Sequence, residues 1–201
     1  MEKGFEGTTI EDLSKASEYS RRTIYAYYEG KEDILHHMIE KGLGALKLEI
    51  EKSQKTHHDF LECYRSLCEA MYHYQKQCPY SIEKIQTASA AHFETEQLSE
   101  TIQRILILGT EINQLLENFF LQGQNEGVIR KDIIPSLSVQ VWWGGIMTWF
   151  KLVQSKGVYL SKQFSLSEHE LLVYGCKQQL IALLEQKIDL KGEGTHGDST
   201  I

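Results

Sequence analysis

Two helix-start signals eleven residues apart, at Thr9 and Ser20, constrain this chain more than any other feature in it. Thr9 precedes Ile10 and has Asp12 three residues on, an acidic capping box in which the threonine hydroxyl accepts from orphan amides. Glu11 and Asp12 then sit at the positive end of the helix dipole. The pattern predicts a helix from about Ile10, with Ile10, Leu13 and Ala16 on one face. Ser17 and Glu18 break it, and Ser20 offers a second N-cap for a helix starting at Arg21. Ile24 and Tyr28, four apart, form the inward face of that second helix. Arg21, Arg22 and Thr23 are left in its outward first turn, flanked by Tyr25 and Tyr27. Two short helices, a tight turn and a longer following helix spell a helix-turn-helix. In such units the first residues of the second helix meet base edges, where arginine can pair with guanine and hydroxyls suit phosphates.

The order Gly4-Phe5, Thr8-Thr9-Ile10, Leu13, Ala16, Ser20, Thr23-Ile24-Tyr25, Tyr27-Tyr28, Lys31-Glu32 and Leu35 resembles the N-terminal DNA-binding domain of TetR-type bacterial transcriptional regulators. The resemblance spans the first fifth of the chain, and the weaker likeness of GQNEGVIRKD, starting at Gly123, to a loop of that family adds to it. It implies a homodimer that binds a double-stranded DNA operator and a small-molecule inducer, and a repressor released by that inducer. The DNA surface it implies is Thr8, Thr9, Ser20, Arg21, Arg22, Thr23, Tyr25, Tyr27 and Lys31. Lys31 opposes the dipole at a helix start, which favours a phosphate contact. Two positions depart from the family pattern. Glu18 stands where the family commonly has a turn glycine, and the family's first helix should precede Gly4, where only Met1 to Lys3 stand. The second departure motivates the alternative, a dimeric helical ligand-binding or interaction module that has lost DNA binding.

Beyond the head, 2 prolines and 15 glycines leave long stretches with apolar residues at helical spacing, so the fold expected is all-α. The predicted division is a helix-turn-helix head over 1–46, a larger helical body over 47–190 for ligand binding and dimerisation, and a disordered tail over 191–201. Helices are predicted from Lys31 to about Ser53, from Asp59 to Gln77, from Leu98 to near Gly123, from Pro135, and from Ser167 to Lys187. Tyr80 to Phe93 is less regular. The net charge of -7 argues against a nucleic-acid protein. Locally the balance reverses, with Lys15, Arg21, Arg22 and Lys31 against Glu18 and Glu29 between residues 15 and 31.

Cys63, Cys68, Cys78 and Cys176 show no paired spacing and no secretory signal opens the chain, so reduced thiols and a cytoplasmic location are expected. The uncharged run from Ile133 to Phe150 is too polar and short to span a membrane. Cys63, Cys68 and His73 are each five apart, which spreads them around a helix, so no metal is expected. No phosphate loop, nucleophile elbow or paired carboxylate occurs, so neither cofactor nor enzyme activity is expected. The aromatic and sulfur-rich side chains Tyr64, Met71, Tyr74, Phe93 and Trp142, with Ile112, are the candidate pocket lining for an apolar or aromatic ligand. Val139, Ile146, Trp149, Phe150, Leu172, Cys176, Leu180 and Leu183, on the last two helices, are the candidate dimer contact. Gly144 and Gly145 mark a close helix approach there.

Overall fold

Residues 4–57, 59–77 and 98–184 are described in the structure, a computed structural model. They form eight helices: α1 (Gly4–Gly7), α2 (Ile10–Ser17), α3 (Arg21–Tyr27), α4 (Lys31–Thr56), α5 (Phe60–Gln77), α6 (Glu100–Asn125), α7 (Pro135–Phe164) and α8 (Glu168–Leu183). The all-α expectation therefore holds. Phe93, Cys78, the irregular stretch after Pro79 and the tail lie outside the described residues.

The caps act where the sequence places them. Thr9 and Asp12 close a reciprocal capping box on α2, and Ser20 accepts from the Thr23 amide at the start of α3. α4 runs 26 residues out of the head and buries Leu35, Ile39, Leu43, Leu46 and Ile50 along one stripe against α5 and α6. That stripe is the 3.6-residue periodicity of the sequence made into a seam. Phe60 of α5 stacks on Phe119 of α6 with ring centroids 4.4 Å apart. Full burial of such side chains stabilises by roughly 1.5–3 kcal/mol each.

Gly123 lies in the last turn of α6. A Cβ there would lie 2.6 Å from Phe60, so glycine lets the Phe60 ring and Ile129 close over the helix end. The following loop is tied down by Gly127 at φ +74 and by the Val128 and Ile129 amides, both donating to the Gly123 carbonyl. Arg130 then donates its amide to the Leu183 carbonyl, fastening the loop to the end of α8.

α7 and α8 pack as an antiparallel pair. Gly175 of α8 is the contact point, since a Cβ there would come within 2.2 Å of the Trp149 ring. Trp149 Nε1 donates to the Leu171 carbonyl at 2.9 Å, which seals the same crossing. Gly145 faces the Gln179 side chain, so the close approach expected from the glycine pair comes from α8.

Of the residues expected at a dimer contact, Val139, Ile146, Phe150, Leu172, Cys176 and Leu183 are buried within the single chain, Leu180 packs against the same core, and Trp149 is half-buried over Gly175. An apolar stripe this wide is first consumed by the chain's own α5 and α6. The residues that α7 and α8 leave exposed are others, among them Leu137, Val141, Tyr174 and Ile181.

Candidate nucleic-acid interface

The head is built from few buried groups. α2 buries none of its residues, and Ile24 is the buried residue of α3. The backbone between α2 and α3 is set by side chains. Glu18 takes the left-handed conformation at φ 62, the position where the sequence lacks the expected glycine. Ser14 Oγ donates to the Tyr19 carbonyl at 2.6 Å, and the Tyr19 amide lies 3.4 Å from Ser17 Oγ. The turn is thereby held at both ends of Tyr19, and α3 emerges in a fixed direction.

Its nine candidate contact residues fall into two groups. Arg21, Arg22, Tyr25 and Tyr27 are exposed, Tyr27 at 77%. Thr8, Thr9, Ser20, Thr23 and Lys31 carry local bonds. Thr8 donates to the Gly4 carbonyl, Thr9 is engaged by Asp12, and the Ser20 and Thr23 hydroxyls meet at 2.8 Å. Lys31 Nζ donates to the carbonyls of Phe5 at 3.3 Å and Glu6 at 3.2 Å and lies 4.7 Å above the Phe5 ring. The ammonium thus neutralises carbonyls of α1, and a favourable cation–π geometry adds to the hold. Sequence reasoning had no signal for this, because Phe5 and Lys31 are distant along the chain. The exposed set places two guanidinium forks at a helix start with phenol hydroxyls beside them, groups that can pair with phosphates and base edges.

Residues 1–38 match the family described as bacterial regulatory proteins, tetR family. The whole fold is similar to that of PfmR, a TetR family transcriptional regulator from Thermus thermophilus, at 20% identity and a TM-score of 0.64, covering 92% of this chain and 93% of that one. The first 38 residues thus carry the sequence pattern of that family, and the chain as a whole shares the fold of its solved members.

Further likenesses agree with its fold. The fatty acid degradation regulator FadR from Bacillus halodurans is 18% identical with a TM-score of 0.63, over 90% of this chain and 92% of that one. FadR from Bacillus subtilis, solved in complex with stearoyl-CoA, is 17% identical with a TM-score of 0.62, over 89% of this chain and 90% of that one. Among curated protein sequences none gives a significant match.

In the body of the chain the expected pocket residues Tyr64, Met71, Tyr74, Ile112 and Trp142 are all buried. Trp142 Nε1 donates to Tyr64 Oη at 2.8 Å, and Tyr64 Oη donates to the Cys176 carbonyl at 2.8 Å, so these polar atoms serve the packing of α5, α7 and α8. Burial pushes the Tyr64 phenol well above its ordinary range and the Cys63 thiol up to about 11, which keeps both neutral. A separate cleft of about 120 Å³ opens between α5, α7 and α8 beside Tyr72, Gln75, Phe150 and Leu172. None of the described residues among the expected pocket lining borders it. Among the described residues no helix is long and apolar enough to cross a membrane.

Proposed function

We propose that this chain is a homodimeric repressor that binds an operator through Arg21, Arg22, Tyr25 and Tyr27 and is released by a small apolar or aromatic ligand held in its body. Thr8, Thr9, Ser20 and Thr23 shape and border that surface, and Lys31 reaches a phosphate by exchanging the Phe5 and Glu6 carbonyls for it. The observation that carries the reading is the pair of exposed arginines in the first turn of a helix that Ser20 caps within a helix-turn-helix.

The division at residue 46 is part of the proposal, with α4 spanning it. Tyr64, Met71, Tyr74, Phe93, Ile112 and Trp142 remain the proposed ligand region. The stearoyl-CoA in FadR supports an extended apolar ligand as the class to test first. For dimerisation we propose the outer faces of α7 and α8, carrying Val141, Tyr174 and Ile181, since their inner faces are filled.

Arg21→Ala tests the reading directly. It is expected to weaken operator binding and blunt base preference at one position by about 1–3 kcal/mol. Lys31→Ala is expected to weaken all sequences alike and flatten the salt dependence by about one counterion. A gel-shift series in which Arg21→Ala keeps both affinity and preference would remove Arg21 from the interface.

A further inference from the structure

The body holds the head through a chain of polar contacts that the DNA surface does not use. α6 begins at Glu100 behind the Ser99 cap, and its first turn lies against the first turns of α4. Arg104 Nε stands 2.5 Å from Glu40 Oε1 and Nη2 3.3 Å from Oε2, a two-point pair between α6 and α4. Arg104 Nη1 reaches Glu100 at 2.9 Å, and Nη2 donates to Thr101 Oγ1 at 3.4 Å. Thr101 is buried, and its hydroxyl stands 3.5 Å from His37 Nε2, the outer edge of hydrogen-bond range.

His37 carries the contact onward. Its Nδ1 lies 2.9 Å from the Asp33 carbonyl and 3.2 Å from Asp33 Oδ1, so in the neutral ring Nδ1 is the donor and Nε2 the acceptor. Thr101, accepting from Arg104, is then able to donate to Nε2. The other carboxylate oxygen, Asp33 Oδ2, accepts from the Glu29 amide at 3.0 Å. Glu29 is two residues past the end of α3, in a turn whose next residue, Gly30, is the N-cap of α4 and supplies no side-chain cap. Tyr28, the C-cap of α3, sets its ring edge-on to His37 at 5.3 Å between centroids.

We propose that Thr101, His37 and Asp33 are positioning residues for α3, with the Glu40–Arg104 pair as their anchor. The first turn of α6 sets the direction of the recognition helix through them. The turn joining α3 to α4 takes its shape from the Asp33 carboxylate, Asp33 is oriented by His37, and His37 spans from α4 to the buried Thr101. A shift of α6 against α4 at this point is passed to α3 within one helical turn of the head, without any swing of the far end of α4.

The effect on affinity rests on the DNA-binding reading, whereas the effect at Glu29 does not. The test is amide hydrogen exchange at Glu29, read by NMR on the full chain, together with operator titration. His37→Ala and Thr101→Val are expected to lower Glu29 protection and to weaken operator binding about tenfold. Thr101→Ser, which keeps the hydroxyl, is expected to restore both. Glu40→Arg and Arg104→Glu should each act like His37→Ala, and the double reversal should recover most of the loss. Unchanged Glu29 protection in His37→Ala would overturn the proposal. So would a Thr101→Ser chain no better than Thr101→Val, with affinity falling only as far as global stability does. A wild-type chain that binds no operator DNA would remove the DNA-binding reading instead, and the exchange at Glu29 would still decide the relay.

Discussion

Glu18 carries a side chain at φ 62, a conformation that costs an L-residue about 1–2 kcal/mol relative to right-handed backbone. Glycine would remove that cost and add back part of it as chain entropy in the unfolded state. Glu18→Gly is therefore expected to stabilise the chain by about 0.5–1 kcal/mol, read as a higher urea midpoint at unchanged slope. A lower midpoint would mean that the turn depends on the carboxylate. The two caps that frame this turn were legible at once, because Thr9 and Ser20 bond to amides three residues away and need nothing distant to do so. The engagement of Lys31 with Phe5 was not, since α1 and α4 meet only after the head has folded. Ser167 and Glu170 repeat the capping box on α8, and the Ser167 backbone and hydroxyl hold the Glu170 carboxyl below its ordinary range. A carboxylate lowered in the folded state contributes stability that is present above its unfolded value and lost as pH falls through the folded one. The stability difference between wild type and Glu170→Gln should accordingly shrink as pH drops through the carboxylate range in thermal melts. A difference that persists in acid would contradict this role.

α7 and α8 separate two glycines that look alike in the sequence. At Gly175 a Cβ would meet the Trp149 ring, which is pinned by its bond to Leu171, so Gly175→Ala is expected to cost about 1–3 kcal/mol by overpacking. At Gly145 the Cβ would meet the end of Gln179, a flexible side chain that can turn away. Helix propensity then acts in its favour, and Gly145→Ala should be neutral or stabilising by up to about 1 kcal/mol. Denaturation of both variants checks the pair; equal losses would show that the α7–α8 approach is set at Gly145 as well. Periodicity found both helices and the need for a close approach, while Ile146 and Phe150, expected at a dimer contact, are buried within the single chain. The width of an apolar stripe says how much must be covered and is silent on whether α5, α6 or a second chain covers it.

For the molecule as a whole, the balance is -7 while the stretch from Lys15 to Lys31 carries more basic than acidic residues, and the DNA-binding reading rests on that stretch. Reading a half-site on each of two DNA turns requires two heads at about 34–36 Å, so DNA binding and dimerisation stand together. Val141→Asp combined with Tyr174→Asp, both on exposed outer positions, is expected to yield a folded chain of monomer mass by light scattering that has lost operator binding. A stable dimer in that variant would move the interface elsewhere. The central claim, that this chain reads DNA through the first turn of α3, meets its most direct test in one titration. Wild type and Arg21→Ala are added to the DNA flanking the gene at two salt concentrations, against a scrambled duplex of equal length. The account predicts saturable wild-type binding that weakens steeply with salt and exceeds the scrambled duplex, and a loss of that preference in Arg21→Ala. Equal binding of both duplexes by the wild type, or none at the lower salt, would contradict it.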